Sequence, residues 1–192
     1  MLDKSVIYMP VIMHRKSGTP IPEFDLPEGF IFTQYKSGDE KAWAKIETSV
    51  LEFDDELDAL LYFQREFLKI PSEAERRCIF IENDKGEKIA TASAWHAYSG
   101  IRRDPILHWV SVRPEYQGLG LGKALISKIT QIMLDLDGDM DFYLHTQTWS
   151  HKAVGIYQKF GYEMIQDQQI CQCKTNSGDY EQAVKILNNL KG

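Results

Sequence analysis

Residues 112–125 read VRPEYQGLGLGKAL: an apolar run is halted at Pro114, glycines stand at 118, 120 and 122, and an apolar stripe at helical spacing begins at once. The chain must therefore leave a strand, turn through dihedrals that side chains resist, and start a helix in one short passage. That junction points to an α/β arrangement around it. It also leaves bare backbone just ahead of a helix, where the first N–H groups lack intrahelical acceptors and the helix dipole is positive. An anion is the natural occupant of such a place. A turn that merely joins strand to helix is the competing reading.

Two familiar phosphate-binding patterns do not fit. A dinucleotide fingerprint needs G-x-G-x-x-G, and counted from Gly118 or Gly120 the third glycine falls on Lys123 or Leu125. A P-loop needs a glycine where Gln117 stands and a magnesium-binding hydroxyl where Ala124 stands.

The rest of the chain alternates strand and helix patterns without internal repeats. A strand is expected over 6–13, then a Pro-rich extended stretch, TPIPEFDLPEG, and a strand in GFIFTQYK. Residues 37–50 read as a helix, with Ser37 and Glu40 at capping-box spacing and Trp43, Ile46 and Val50 on one face. Leu57, Leu60, Leu61, Phe63 and Phe67 mark a second amphipathic helix over 56–69. CIFIENDKGEKIATASAWHA reads as two strands about a turn at 84–86, and a strand over 106–112 leads into the glycine loop. A third helix, 121–136, carries Leu121, Leu125, Ile129, Ile132 and Leu136 as its stripe. After it come a strand in DFYLHTQT, a short helix in SHKAVGIYQKFG ended by Gly161, a closing hairpin in YEMIQDQQICQCK, and a tail helix in DYEQAVKILNNL.

At 192 residues, with 43% hydrophobic and 26% charged side chains, the chain is expected to be a single soluble domain. A formal charge of -6 without Lys/Arg clusters argues against nucleic acid as a partner. Cys78, Cys171 and Cys173 have neither metal-ligand spacing nor the number to staple such a chain, so no metal is expected and the thiols suit a reducing compartment. The apolar stretch at the N-terminus is cut by Pro10 well short of a signal or membrane span. A cytoplasmic protein without a membrane partner is the expectation.

ILHWVSVRPEYQGLGLGKALISKI resembles motif A of the GCN5-related N-acetyltransferases, the GNAT family, whose Q/R-x-x-G-x-G/A signature is met by Gln117, Gly120 and Gly122. Downstream, SHKAVGIYQKFGY resembles motif B, with Ala153 ahead of Tyr157 and the ending Phe160-Gly161-Tyr162. The resemblance covers about residues 29–174, leaving an N-terminal arm, 1–28, and a tail helix, 175–192. It implies a mixed central sheet of about six to seven strands flanked by about four helices. It also implies acetyl-CoA as co-substrate and transfer of its acetyl group to a primary amine.

By the same resemblance, backbone groups of Val110, Ser111 and Val112 bind the pantetheine amides. The pyrophosphate sits on the N–H groups of Gln117, Gly118, Leu119, Gly120, Leu121, Gly122 and Lys123, with charge from Lys123, Arg113 or Lys152. Tyr157 corresponds to the family's general acid beside the coenzyme sulfur, and a phenol with a pKa of about 10 suits a departing thiolate. The oxyanion takes a backbone N–H near Val110. Many relatives place a glutamate on the central strand where this chain has Ile106. His108, on the same face by alternation, resembles a histidine of the arylalkylamine N-acetyltransferases and is the expected base, with His96 and His145 as weaker candidates and His151 exposed. Ser150 replaces an asparagine that touches the coenzyme in many relatives, and can cap the helix.

The resemblance places the acceptor groove along LEFDDELDALLYF. Glu52, Asp54, Asp55 and Glu56 there suit either steering of a cationic amine or the positive start of a helix. The acidic run DLDGDMD lacks the glycine and closing glutamate of a calcium loop and reads as a solvated turn. The reading is an acetyltransferase acting on a small-molecule amine. A silent acetyl-CoA sensor and a protein N-acetyltransferase are the alternatives, and the N-terminal arm is a segment through which two subunits could pair.

Overall fold

The computed structural model describes residues 2–99, 101–166, 169–170 and 173–190. In chain order the strands and helices are β1 (Pro10–Arg15), β2 (Phe30–Gln34), α1 (Glu40–Ser49), α2 (Glu56–Glu66), α3 (Pro71–Arg77), β3 (Cys78–Asn83), β4 (Lys88–Ser99) and β5 (Arg102–Val112). There follow α4 (Leu121–Asp137), β6 (Phe142–Gln147), α5 (His151–Lys159), β7 (Glu163–Ile165), β8 (Gln169–Ile170), β9 (Cys173–Lys174) and α6 (Ser177–Asn189). The strands form a seven-stranded sheet of order β2-β3-β4-β5-β6-β1-β7 and a two-stranded ribbon, β8-β9. β5 and β6 are parallel, with α4 as the crossover that parallel strands require. The pairs β1–β6, β1–β7, β2–β3 and β3–β4 are antiparallel, so the sheet is mixed, as expected.

The chain divides into two compact units, one of residues 23–94 with 109–133, the other of residues 2–22 and 95–108 with the chain from 134 onward. In the first, β3 is buried on both faces, Ile79, Phe80 and Ile81 being at most 1% exposed. Under α1 and α2 lie Trp43, Phe63 and Phe67, stacked or tilted at 4.6 to 5.9 Å between ring centroids. Cys78 belongs to this core: burial pushes its thiol up to about 12, so it is inert packing rather than a nucleophile.

α1 begins at Glu40, not 37, because the expected capping box does not form. The Glu40 carboxylate instead accepts from the Gly38 N–H and the Tyr35 hydroxyl, each at 2.9 Å. α3 has no counterpart in the expected helices: PSEAERR carries a single buried apolar residue, Ala74, and so shows no periodicity. It forms on Pro71 in its first turn and on Glu73 paired at 2.6 Å to Arg77 one turn later. The turn between β3 and β4 is built by Asn83, whose Oδ1 accepts the N–H groups of Lys85 and Glu87, while Gly86 takes φ +75.

In the second unit the opening strand is shifted from the expected 6–13 to Pro10–Arg15. Proline has no N–H for a ladder and is confined to a strand's first residue. Val11, Ile12 and Met13 are at most 1% exposed, the continuous apolar run of a strand covered on both faces. β1 accordingly lies between β6 and β7, within what the sequence offered as an arm. The expected closing hairpin is divided: β7 pairs with β1, and β8 pairs with β9. Cys171 lies outside the described residues. α6 opens on a capping box between Asn176 and Asp179, and buries Ala183 and Leu187.

Candidate active site

The first unit carries the glycine loop. β5 ends at Val112, the Arg113 N–H donates to Ile89 O at 2.9 Å, and one turn of 3-10 helix over Pro114–Tyr116 redirects the chain. Two side chains fix that turn: Asn83 Nδ2 donates to the Tyr116 hydroxyl at 3.0 Å, and Gln117 Nε2 donates to Val112 O at 2.8 Å. The Val112 carbonyl is thus engaged by the first residue of the signature itself.

Gly118 and Gly120 both adopt φ +86, a region closed to most side chains, and a Cβ built on either meets nothing within 4 Å. The dihedral demands glycine, and the space beside each Cα is open. The N–H groups from Gly118 to Gly122 have no backbone acceptor among the described residues, whereas those of Lys123 and Ala124 already turn back to Gly120 O. A row of free donors at a helix start, with glycine at every second position, fits a diphosphate. Lys123 holds its ammonium 5.3 Å from the centroid of the Phe24 ring, a cation–π contact that keeps it beside the loop.

Upstream, Trp109 has φ +49, rare for a large side chain, and interrupts the regular alternation of β5. Its indole meets Trp43, Phe53 and Tyr62 at 5.3, 5.4 and 5.1 Å between centroids. Ser111, 8% exposed, donates through Oγ to Glu47 Oε2 at 2.8 Å. Glu47 is fully buried on α1 and its Oε1 has no hydrogen-bond partner among the described residues. Burial, reinforced by the charge of Glu52 and opposed by the Ser111 bond, pushes its carboxyl up to about 8.

Sequence reasoning missed Glu47, although a signal was present: a carboxylate one turn beyond Trp43, on the stripe that also carries Ile46 and Val50. Of the acidic residues that suit either amine steering or a helix start, Asp55 serves the helix start: it is the N-cap of α2, accepting from the Asp58 N–H at 2.9 Å.

The second unit carries the other expected residues. Tyr157, 7% exposed, sits in the last turn of α5. That helix closes with the Tyr162 N–H donating to Tyr157 O and the Gly161 N–H to Gln158 O, both at 3.1 Å, with Gly161 at φ +82. The Tyr157 ring lies 6.1 Å from the ring of Tyr162, whose phenol burial raises well above its ordinary value. Arg15, fully buried on β1, donates through Nε to Phe160 O at 3.0 Å and through Nη2 to Thr19 O, tying the end of α5 to the opening strand.

Ser150 stands at the N-cap of α5 without a side-chain cap bond; its hydroxyl accepts from Gln147 Nε2 at 3.4 Å. His108 faces His145 at 5.6 Å between ring centroids, and burial together with that neighbour holds its pKa well below the ordinary histidine value. Three other histidines lie against carboxylates, His14 against Asp141 at 3.0 Å, His96 against Asp137 at 3.2 Å and His151 against Asp3 at 3.5 Å.

The sequence model of the Acetyltransferase (GNAT) family matches residues 41–162, well over half of the chain. The chain belongs to the GNAT family. The chain is 37% identical over 59 residues to thialysine N-epsilon-acetyltransferase of Sus scrofa, a stretch spanning 31% of this chain and 34% of that protein. To the chloroplastic GCN5-related N-acetyltransferase 2 of Arabidopsis thaliana it is 37% identical over 76 residues, 39% of this chain and 26% of the other. The matched stretches thus span about a third or less of these relatives.

Among solved structures, a GCN5-related N-acetyltransferase from Sphaerobacter thermophilus superposes with a TM-score of 0.65 at 18% identity, covering 83% of this chain and 49% of that one. A GNAT-family acetyltransferase from Colwellia psychrerythraea gives 0.60 at 12% identity over 82% and 54% of the two chains. At these identities the likeness is one of fold.

Proposed function

We propose that this GNAT acetyltransferase moves an acetyl group from acetyl-CoA directly to a primary amine of a small molecule. The observation that carries the donor side is the pair of left-handed glycines, Gly118 and Gly120, with open space beside them and unpaired N–H groups through Gly122. Those donors hold the diphosphate, and backbone groups of Val110, Ser111 and Val112 hold the pantetheine arm. A side chain at 118 or 120 would fill the approach; glycine keeps it clear.

An alkylammonium loses two protons on becoming an amide, and the departing thiolate gains one. Tyr157 supplies the proton to the sulfur. His108, kept neutral above its lowered pKa, takes a proton from the amine nitrogen. The likeness to two thialysine N-epsilon-acetyltransferases supports a small aminoalkyl acceptor over a protein chain.

The test is thiol release from acetyl-CoA across a panel of thialysine, lysine, a polyamine, an aminoglycoside and a peptide. Turnover is expected with at least one small amine. Release with the peptide alone, or with no amine at all, overturns the proposal.

A further inference from the structure

Most of α1 and of the end of β5 is ordinary packing, but one group there is not. Among the described residues, Glu47 puts a carboxyl in the core with one oxygen on Ser111 and no partner for the other, an arrangement that costs stability and that a leucine would avoid. Its surroundings are specific. Trp43, one turn earlier on the same helix face, touches Trp109, and Trp109 stands two residues before Ser111 on β5.

The rings of Phe53, Tyr62 and Trp109 contact one another at 5.1 to 5.4 Å and each remains partly exposed. Such faces attract an alkylammonium and its methylenes while stripping its water. Ser111 is 8% exposed as a residue and Glu47 0%, so the serine is the member of the pair nearer the surface.

We propose that the buried Glu47 carboxylate, acting through the Ser111 hydroxyl, receives the first proton that an acceptor ammonium gives up beside the Phe53–Tyr62–Trp109 cluster. This rests on the amine-acetylating function above and assigns the ionisation of the amine before attack. The ammonium N–H bond breaks and its proton joins Ser111 Oγ, whose own proton passes to Glu47 Oε2. A neutral amine, a serine hydroxyl and a carboxylic acid remain. The second proton is lost from nitrogen after the C–N bond forms and goes to His108, so the two groups serve different steps.

Charge from Glu52 raises the affinity of Glu47 for a proton, and the Ser111 hydroxyl opposes it. With its pKa raised to about 8, the carboxyl is a far better proton acceptor than an exposed glutamate. Glu47 acts through Ser111 and is a positioning residue.

The experiment follows the carboxyl itself, by isotope-edited infrared spectroscopy of the full chain with unlabelled and 13C-glutamate protein. At pH 7 a protonated side-chain carboxyl signal is expected in wild type and absent from Glu47→Gln; at pH 9 wild type loses it. A wild-type carboxyl that is already ionised at pH 7 overturns the proposal. Ser111→Ala should keep the pH 7 signal but lose kcat/KM at pH 8 as Glu47→Gln does; wild-type kcat/KM in that variant overturns the relay.

In steady-state kinetics, kcat/KM for the fastest amine of the panel should rise with pH to a plateau near 8 in wild type. Glu47→Gln should fall at least tenfold at pH 8 and lose that rise, and an unchanged profile counts against the role. CoA affinity by calorimetry separates the two readings. Retained binding with a failed carboxyl response sinks only this inference, whereas loss of binding in wild type sinks the glycine-loop reading beneath it.

Discussion

Gly120 works through its dihedral and through what it leaves empty. With φ +86 and nothing within 4 Å of a built Cβ, Gly120→Ala should lower stability by the left-handed penalty alone, about 1–2 kcal/mol. Gly120→Glu should remain folded yet lose CoA binding altogether, since its carboxylate would occupy the diphosphate's place; calorimetric titration reads both. Tyr157→Phe should cut turnover at least tenfold while CoA affinity stays within about twofold, because the hydroxyl is asked only for a proton.

Glu47 on one side and the facing pair His108 and His145 on the other pull the pH dependence of folding in opposite directions. Glu47, raised from its ordinary value to about 8, binds a proton in the folded chain that the unfolded chain has already released. Stability therefore falls as pH rises from about 4.5 to 8. His108, lowered well below its ordinary value, is neutral in the folded chain where the unfolded chain is charged, so stability is lost as pH falls below about 6.5. The two effects oppose each other where they overlap, from about 4.5 to 6.5, so thermal melts should show a plateau there and fall above it, and Glu47→Gln should flatten that alkaline fall while raising Tm at pH 8.

At the level of elements, the end of α5 decides where Tyr157 stands. Gly161 has φ +82, and a Cβ there would lie 2.4 Å from Thr19 Cγ2. Gly161→Ala meets both a forbidden dihedral and a clash, and should destabilise by about 3 kcal/mol or more. Adding Thr19→Ala should restore the steric part and leave the dihedral part, which denaturant melts of the single and double variants will separate. The same helix shows what local pattern could reveal: Gly161 as a terminator was legible because left-handed caps select glycine. That Arg15, from the far end of the chain, holds the Phe160 carbonyl was not, because such a bond leaves no periodicity. α3 and the Glu40 cap escaped for a similar reason, being held by single polar contacts rather than by a stripe.

For the whole molecule, the strand order matters most. β1 precedes the stretch matched by the family model, 41–162, yet is hydrogen-bonded on both sides, to β6 and to β7. Removing residues 2–16 should expose two strand edges, strip Val11, Ile12 and Met13 from the core and free the Phe160 carbonyl. The shortened chain is expected to aggregate or to lose its cooperative melt, as size-exclusion chromatography and calorimetry would report. Among the described residues no helix is long and apolar enough to cross a membrane.

The sequence alone determined most of the alternation of strands and helices, though not α3 or the division of the closing hairpin, together with the glycine loop and the family motifs. These depend on neighbours along the chain, where dihedral limits and apolar period act directly. Only the tertiary structure decided that the opening segment is an inner strand and that Glu47 is buried against Ser111, residues 64 apart in the chain. Their partners arrive from distant positions, and the cost of burying a carboxyl depends on everything packed around it.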